Sequence, residues 1–170
     1  MAQTVVNEFQ DKWQKGMVGT SHYVRDTTAI SEVAGEVEFG ELLLIGSSDP
    51  EEGAVRPAAA FAQNRIKGIV MAPVSGGVQK RYSDGAIFFE QGDSMTLVQE
   101  GDIAVLLDDN VSAFDNVFYV HTAGGASAQY TYRNDLDTDK ASQIPAQFLE
   151  AGSPGDIVLI RFNTDAFLGS

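Results

Sequence analysis

The stretch Tyr82–His121 decides the fold class, and it reads YSDGAIFFEQGDSMTLVQEGDIAVLLDDNVSAFDNVFYVH. Short runs rich in Val, Ile, Leu and Phe alternate with turn signals at a spacing of about 8–12 residues, which is typical of a small all-β sandwich or barrel. The Gly-Asp steps at 92–93 and 101–102 are interpreted as turns, because Gly adopts positive φ and Asp bonds nearby amides. The predicted strands lie near Ala86–Glu90, Ser94–Gln99, Asp102–Leu107 and Asn116–His121.

Outside this stretch the chain continues as a β-domain but begins differently. Buried strands are predicted at Ile66–Ala72 and Ile157–Phe162. Residues 1–34 instead scatter apolar groups among polar ones, and Gly16 and Gly19 would end any helix early. We therefore expect a mainly β protein, with an extended N-terminal arm over residues 1–34 and a small antiparallel β-barrel or sandwich-like domain over residues 35–170.

Composition restricts the class of partner. The chain has 170 residues, of which 44% are hydrophobic, so it is long enough for one domain with a real core. Its formal charge is −13, and residues 86–170 hold thirteen Asp/Glu against three Lys/Arg. Such an acidic surface disfavours nucleic acid and anionic membranes. With neither a secretory signal nor an apolar run near the roughly 20 residues of a membrane span, we expect synthesis in a cytoplasm.

The residue types that support catalysis or metal binding are sparse. The two histidines, His22 and His121, are far apart in sequence, and the chain has no Cys, so a zinc site is disfavoured. The acidic stretches Asp108–Asn110 and Asp135–Asp139 offer oxygen ligands for Ca²⁺ but lack the Gly and terminal Glu of an EF-hand loop. Solvated acidic loops are the favoured interpretation. No nucleophile elbow or phosphate-binding loop is present, so we predict no catalytic residue, cofactor or metal.

Aromatic side chains are the other candidate contacts. Phe114 and the pairs Phe88-Phe89 and Phe118-Tyr119 are assigned mostly to the core, although one member of each pair must point away from it. Those members meet either a second sheet or another subunit. In the arm, Phe9 and Trp13 are either part of a frayed terminus or anchors that become ordered on a partner.

Several short motifs, taken in order, make the chain resemble the structural cement (head decoration) proteins of tailed bacteriophages. Each motif alone is weak, whereas their order and spacing over roughly residues 15–163 are fairly specific. The matching positions are Gly16–Gly19, Phe39-Gly40 with Leu43 and Gly46, Gly68–Val70, Glu100–Val105, Asp115–Val120, Gly124-Gly125, Tyr132–Asp135, Ile144–Phe148 and Gly155–Phe162.

The resemblance implies a capsid decoration protein that binds the outside of a phage head, stabilises the shell and has no enzymatic activity. It further implies a homotrimer whose partner is the major capsid protein. In the arm, basic residues lie in the same segment as apolar ones, while the second half of the chain is strongly acidic. We therefore predict that the arm contacts the shell or a neighbouring subunit through Phe9, Trp13, Lys15, Met17 and Arg25. Two other classes remain open from the residues alone. One is a carbohydrate-binding β-sandwich with a row of exposed aromatics, and the other is a small trimeric β-barrel enzyme with a polar cleft.

Overall fold

The computed structural model describes residues 13–19, 23–72, 80–81, 87–124 and 128–165, and within them the protein is built almost entirely from strands. In chain order the twelve strands are β1 (Arg25–Ser31), β2 (Val37–Glu38), β3 (Leu42–Ile45), β4 (Gly53–Val55), β5 (Ile66–Val70), β6 (Lys80–Arg81), β7 (Ile87–Phe89), β8 (Ser94–Leu106), β9 (Asn116–Val120), β10 (Tyr132–Arg133), β11 (Ala141–Phe148) and β12 (Ile157–Asn163). The described ranges contain a 3₁₀ turn at Gln63–Arg65 and no helix that could span a membrane.

Nine strands form one large sheet in the order β1-β4-β3-β5-β8-β12-β11-β9-β10. Its pairings are antiparallel except for β1 with β4, which run parallel. The three short strands β2, β7 and β6 form a second sheet. The prediction of a mainly antiparallel β-domain is therefore confirmed.

The long strand β8 is the centre of the large sheet. Its first half pairs with both β1 and β5, so β1, β4, β3, β5 and β8 close into a ring. Its second half pairs with β12, and the sheet continues through β11 and β9 to β10. A parallel bridge between Leu107 and Tyr132 brings β10 back beside the end of β8. Both halves of the sheet thus depend on one strand.

The continuity of β8 corrects the turn predicted at Gly101-Asp102. Gly101 is buried within the strand with φ 145°, and a Cβ placed on it would lie 3.2 Å from Cγ2 of Val24. Glu100, one residue earlier, is paired with both Arg25 of β1 and Asn163 of β12. The glycine therefore permits a close approach of the chain before β1 and does not reverse the direction of β8.

Two apolar clusters fill the interior on either side of the shared strand. The larger joins β8 to β9, β11 and β12, extends to β3 and β5, and includes the fully buried side chains of Tyr119, Tyr132 and Phe148. The smaller contains Leu43 and Met95 and lies in the half that includes β1 and β4. Alternation along the strands supplies both clusters, since neighbouring residues of β8 go to different ones: Leu97 belongs to the smaller and Val98 to the larger.

The predicted arm includes residues that the large sheet uses. Residues 25–31, assigned to the arm, form β1 and pair with β8 from Arg25 to Ile30. Residues 1–12 of the predicted arm lie outside the described residues. The division at residue 34 stays a prediction, and the sheet already includes the chain from Arg25 onwards.

Candidate functional site

The segment Trp13–Gly19 lies against the middle of β8, and backbone hydrogen bonds hold it there. The N–H of Gly16 donates to the carbonyl of Ala104 at 2.8 Å, and the N–H of Ala104 donates to the carbonyl of Met17 at 2.8 Å. The N–H of Gly19 donates to the carbonyl of Asp102, also at 2.8 Å. This part of the predicted arm is therefore fastened to the sheet.

Gly16 permits this attachment because the segment passes very close to its neighbours. Its φ is 76°, and a Cβ at this position would lie 2.7 Å from Cβ of Phe39 and 2.8 Å from the carbonyl oxygen of Val70. Any side chain would clash with both and would also strain the left-handed backbone. The glycine that opens the motif Gly16–Gly19 is thus explained by the close packing of this segment against the sheet.

The five predicted contact residues differ in their exposure and in their contacts within the chain. Phe9 lies outside the described residues, Trp13 is half-buried, and Met17 leaves 39% of its surface exposed. Lys15 forms an ion pair with Glu38, and Arg25 forms one with Asp165 at 2.6 Å.

Trp13 lines a groove of about 360 Å³ together with residues 150–151 and 155–158. Each of the two predicted cations is ion-paired within the chain, and its side chain stays about one-third exposed. The apolar members Trp13 and Met17 remain at or near the surface.

The two acidic stretches converge on Arg133, a residue that the sequence analysis did not single out as functional. Its guanidinium lies 2.9 Å from a carboxylate oxygen of Asp109, 2.6 Å from one of Asp135 and 3.2 Å from one of Asp137. A carboxylate oxygen of Asp108 lies 3.7 Å from the same guanidinium. The pKa of Asp108 is raised above its usual value, mainly because the carboxylate is buried. The oxygen atoms considered for Ca²⁺ therefore surround a cation supplied by the chain itself.

The described residues contain no group of three or more His, Asp or Glu side chains arranged to hold a metal ion. His121 is buried, its Nδ1 lies 2.8 Å from the hydroxyl of Thr122, and burial lowers its pKa. Its ring packs edge-on against Phe61 at 6.2 Å between centroids. His22 lies outside the described residues. The burial of His121 and its contacts with Thr122 and Phe61 are those of a core side chain.

A third charged feature organises the loop between β3 and β4. The carboxylate of Glu32 accepts the backbone N–H groups of Ser47, Ser48 and Asp49, each at 3.0 Å. These bonds, that of Ser48 foremost, hold the pKa of Glu32 below its usual value. Gly53 makes room for the carboxylate, because a Cβ there would collide with its Oε1. The acidic loop 47–52 is therefore held in one conformation by an acidic residue.

Large apolar side chains that stay exposed in the described structure are few and separate. They are Met17, Tyr23, Ile30, Phe114 and Leu136. Tyr23 and Phe114 are the aromatic ones among them, with 78% and 74% of their surfaces exposed. Phe114 had been assigned mostly to the core; its exposure is a correction, and its cause is a left-handed backbone that turns the residue out of the strand pattern.

The ring-like closure of the sheet, the ion pairs within the chain and the exposed apolar side chains are compatible with a structural protein that makes contacts through its surface. A family model described as structural cement protein (E217 gp24/Pam3 gp6) matches residues 2–163. The chain belongs to this family of bacteriophage structural cement proteins. Its class of function is accordingly that of a virion protein that decorates and cements the capsid.

Comparison with solved structures agrees on the fold. A chain of the structure titled "The capsid of Myoviridae Phage XM1" is 13% identical with a TM-score of 0.67, and the match covers 95% of this chain and 97% of that one. A chain of "The crystal structure of head fiber gp8.5 N base in bacteriophage phi29" is 14% identical over 84% of this chain and 96% of that one, with a TM-score of 0.39, too low to carry an argument. None of the curated proteins matches the chain significantly.

Proposed function

We propose that the protein is made in the host cytoplasm, binds the outer surface of a phage head and stabilises the shell without catalysing a reaction. The assignment to the cement family carries this proposal. The charge of −13 supports the outer location, because DNA packed inside a head would repel an acidic protein on the inner wall. Many copies that bridge neighbouring capsid subunits would stabilise the shell, since only the assembled lattice offers the complete binding site.

The proposal is tested by adding purified protein to heads that lack it. We expect binding from outside to preassembled heads, density on the outer surface in electron microscopy, and a higher temperature for DNA release. Heads that bind the protein only when it is present during assembly, or density on the inner wall, would contradict the outer location.

We propose that the N-terminal segment contributes to the shell contact through Phe9, Trp13 and Met17, while Lys15 and Arg25 hold the segment and β1 in place. The ion pairs of Lys15 with Glu38 and of Arg25 with Asp165 support this division. Deletion of residues 2–12 tests it, with deletion of residues 166–170 as the matched control. Because the segment Trp13–Gly19, which bonds to the sheet through Gly16, Met17 and Gly19, is kept, the first deletion should leave the thermal midpoint nearly unchanged and reduce the occupancy of heads.

We further propose that the protein assembles as a trimer, at least on the head. Ile30 supports this proposal, because it leaves 40% of its surface exposed on β1 and offers an apolar contact to another subunit. Sedimentation of the protein and reconstruction of decorated heads measure the state directly. Ile30→Glu should weaken the trimer while the circular dichroism of the folded domain is retained. Well-separated monomers on the head would refute the trimer.

A further inference from the structure

Phe114 combines an exposed aromatic side chain with a left-handed backbone, a combination that the described fold does not explain. It leaves 74% of its surface exposed, and its φ of 72° lies in the left-handed region. A bulky residue with this backbone conformation is strained, and an exposed aromatic ring gains little from the protein's own core. The combination therefore lowers the stability of the folded protein, and no burial of the ring offsets that loss. This makes the residue a candidate for a contact with another molecule.

The loop around Phe114 is rigidly held from several sides. Its own N–H donates to the carbonyl of Phe148 at 2.8 Å, and the N–H of Phe148 donates to the carbonyl of Asp115 at 3.1 Å. The side chain of Asp115 accepts the N–H of Ser112 at 2.9 Å and the side-chain amide of Asn134 at 2.9 Å. These bonds fix the backbone on both sides of the ring, so binding of a partner would not have to order the loop that carries Phe114.

The other left-handed residues have explanations inside the chain. Tyr130, with φ 70°, is half-buried, and the guanidinium of Arg56 lies 4.0 Å from the centre of its ring. Asp137, Thr138 and Asp139 form a tight turn that presents Asp137 to Arg133. Phe114 differs because its ring points to solvent.

The charges near this loop indicate what kind of partner it fits. Asp115 lies next to Phe114 in the exposed loop. Its hydrogen bonds, first that from Asn134 and second that from Ser112, lower its pKa, so the carboxylate stays ionised. The residue next to the ring is therefore anionic, and the chain as a whole carries a formal charge of −13. A second copy of this acidic chain would be repelled, whereas a surface with Lys or Arg at the rim of an apolar pocket would be attracted.

We propose that Phe114 is a preformed aromatic anchor that inserts into an apolar pocket with a basic rim on the shell. This inference rests on the proposed function and adds to it the residue that makes the contact and the chemistry of the receiving surface. Anchors of this kind, aromatic and held rigidly before binding, supply much of the binding free energy of protein interfaces.

The decisive variant is Phe114→Gly, because its two effects go in opposite directions. Glycine adopts the left-handed backbone without strain, so the thermal midpoint of the isolated protein should be unchanged or higher. Loss of the ring should weaken binding to undecorated heads by about 10- to 30-fold in Kd, as expected for a truncated aromatic anchor. Tyr23→Ala is the matched control, because Tyr23 is also aromatic and leaves 78% of its surface exposed; its affinity should stay close to that of the unaltered protein.

The unaltered protein is measured first in the same assay, which separates the two proposals. If it fails to bind heads, the proposed function is wrong. If it binds and Phe114→Gly binds equally well, or if Tyr23→Ala loses as much affinity, the anchor role of Phe114 is wrong. The basic rim has its own readout: affinity should fall as salt rises from 50 to about 300 mM, and an affinity independent of salt would overturn that part.

Discussion

The two acidic loops of this protein are held in place by opposite means. In the loop between β3 and β4, one carboxylate, that of Glu32, gathers three backbone N–H groups. In the turn after β10, one guanidinium, that of Arg133, gathers the carboxylates of the turn and of residues 108–109. Both loops keep negative charge at the surface, yet the first is organised by an anion and the second by a cation.

This difference shows that the charge of a loop does not reveal what orders it. Around Glu32 the donors are peptide groups, which are neutral, so the carboxylate adds its charge to an already acidic loop. Around Arg133 the acidic side chains would repel one another without the cation between them. The first arrangement should therefore be sensitive to crowding of the backbone and to protonation of one residue, and the second to loss of one cation.

The largest effect is expected from Arg133→Met. It removes a nearly buried cation and leaves several carboxylates facing one another, of which Asp108 is almost fully enclosed. The free energy of unfolding should fall by about 3 kcal/mol, the lower end for a broken buried ion pair, because Asp109 and Asp135 still reach water. Urea unfolding measures the change. Arg133→Lys should fall in between, since it keeps the charge but not the planar fork, and equal stability of all three proteins would disprove the organising role.

The next effect tests the other loop through its backbone. In Gly53→Ala the new methyl group would collide with Oε1 of Glu32 and lie 2.6 Å from the carbonyl oxygen of Asp49. Crowding of this kind should lower the free energy of unfolding by about 1–3 kcal/mol. Gly35→Ala is the control, because a Cβ at Gly35 meets no atom within 4 Å. Combining Gly53→Ala with Glu32→Ala should give less than the sum of the two losses, and strict additivity would argue against the collision.

A smaller effect concerns the pH dependence of the Glu32 loop. The pKa of Glu32 is lower in the folded protein than its ordinary value of 4.5, so its contribution to stability is present above pH 4.5 and is lost as the pH falls through the folded value. Glu32→Gln should lower the thermal midpoint at pH 7 by about 2–4 °C. The two midpoints should converge in acid. A constant difference from pH 7 to pH 3 would contradict this account.

The smallest effect should have the opposite sign. Burial raises the pKa of Asp108 above 3.8, so its ionised form is disfavoured in the folded state and the penalty is complete only above the raised pKa. Asp108→Asn should leave the thermal midpoint at pH 7 unchanged or raise it by up to about 2 °C. That advantage should disappear as the pH falls below 3.8. A loss of stability at pH 7 would mean that attraction to Arg133 outweighs the burial of Asp108.

Much of the fold could be predicted because strands have a local signature. Short apolar runs bounded by turn residues identified the strands near Ile66, Asn116 and Ile157, and the positive φ of Gly92 agrees with the turn assigned there. Gly101 was misassigned because the same Gly-Asp step serves a strand when another segment passes close to it. Only the pairing of distant strands, β1 with β8, distinguishes the two cases.

The surface was harder to predict, since its chemistry depends on which distant residues meet. The ion-pair partners of Lys15 and Arg25 could not be predicted, because Glu38 and Asp165 are distant from them in sequence. The acidic stretches were interpreted as solvated loops, because the sequence does not show that Arg133 lies between them. In the fold this arginine pairs with Asp109, which precedes it in the chain, and with Asp135, which follows it. Phe114 looked like a core residue because its left-handed backbone has no signature outside glycine and asparagine.

The shared strand β8 also determines how this chain can fold. Its neighbours come from both ends of the sequence: Thr28 pairs with Thr96, and Ile160 pairs with Ile103. Neither half of the sheet can be completed until most of the chain has been synthesised and long loops have closed, and loop closure is the slow part of such a search. The protein should therefore fold in milliseconds to seconds in one cooperative step, and a copy truncated before β12 would leave the second half of β8 as an open edge that invites aggregation.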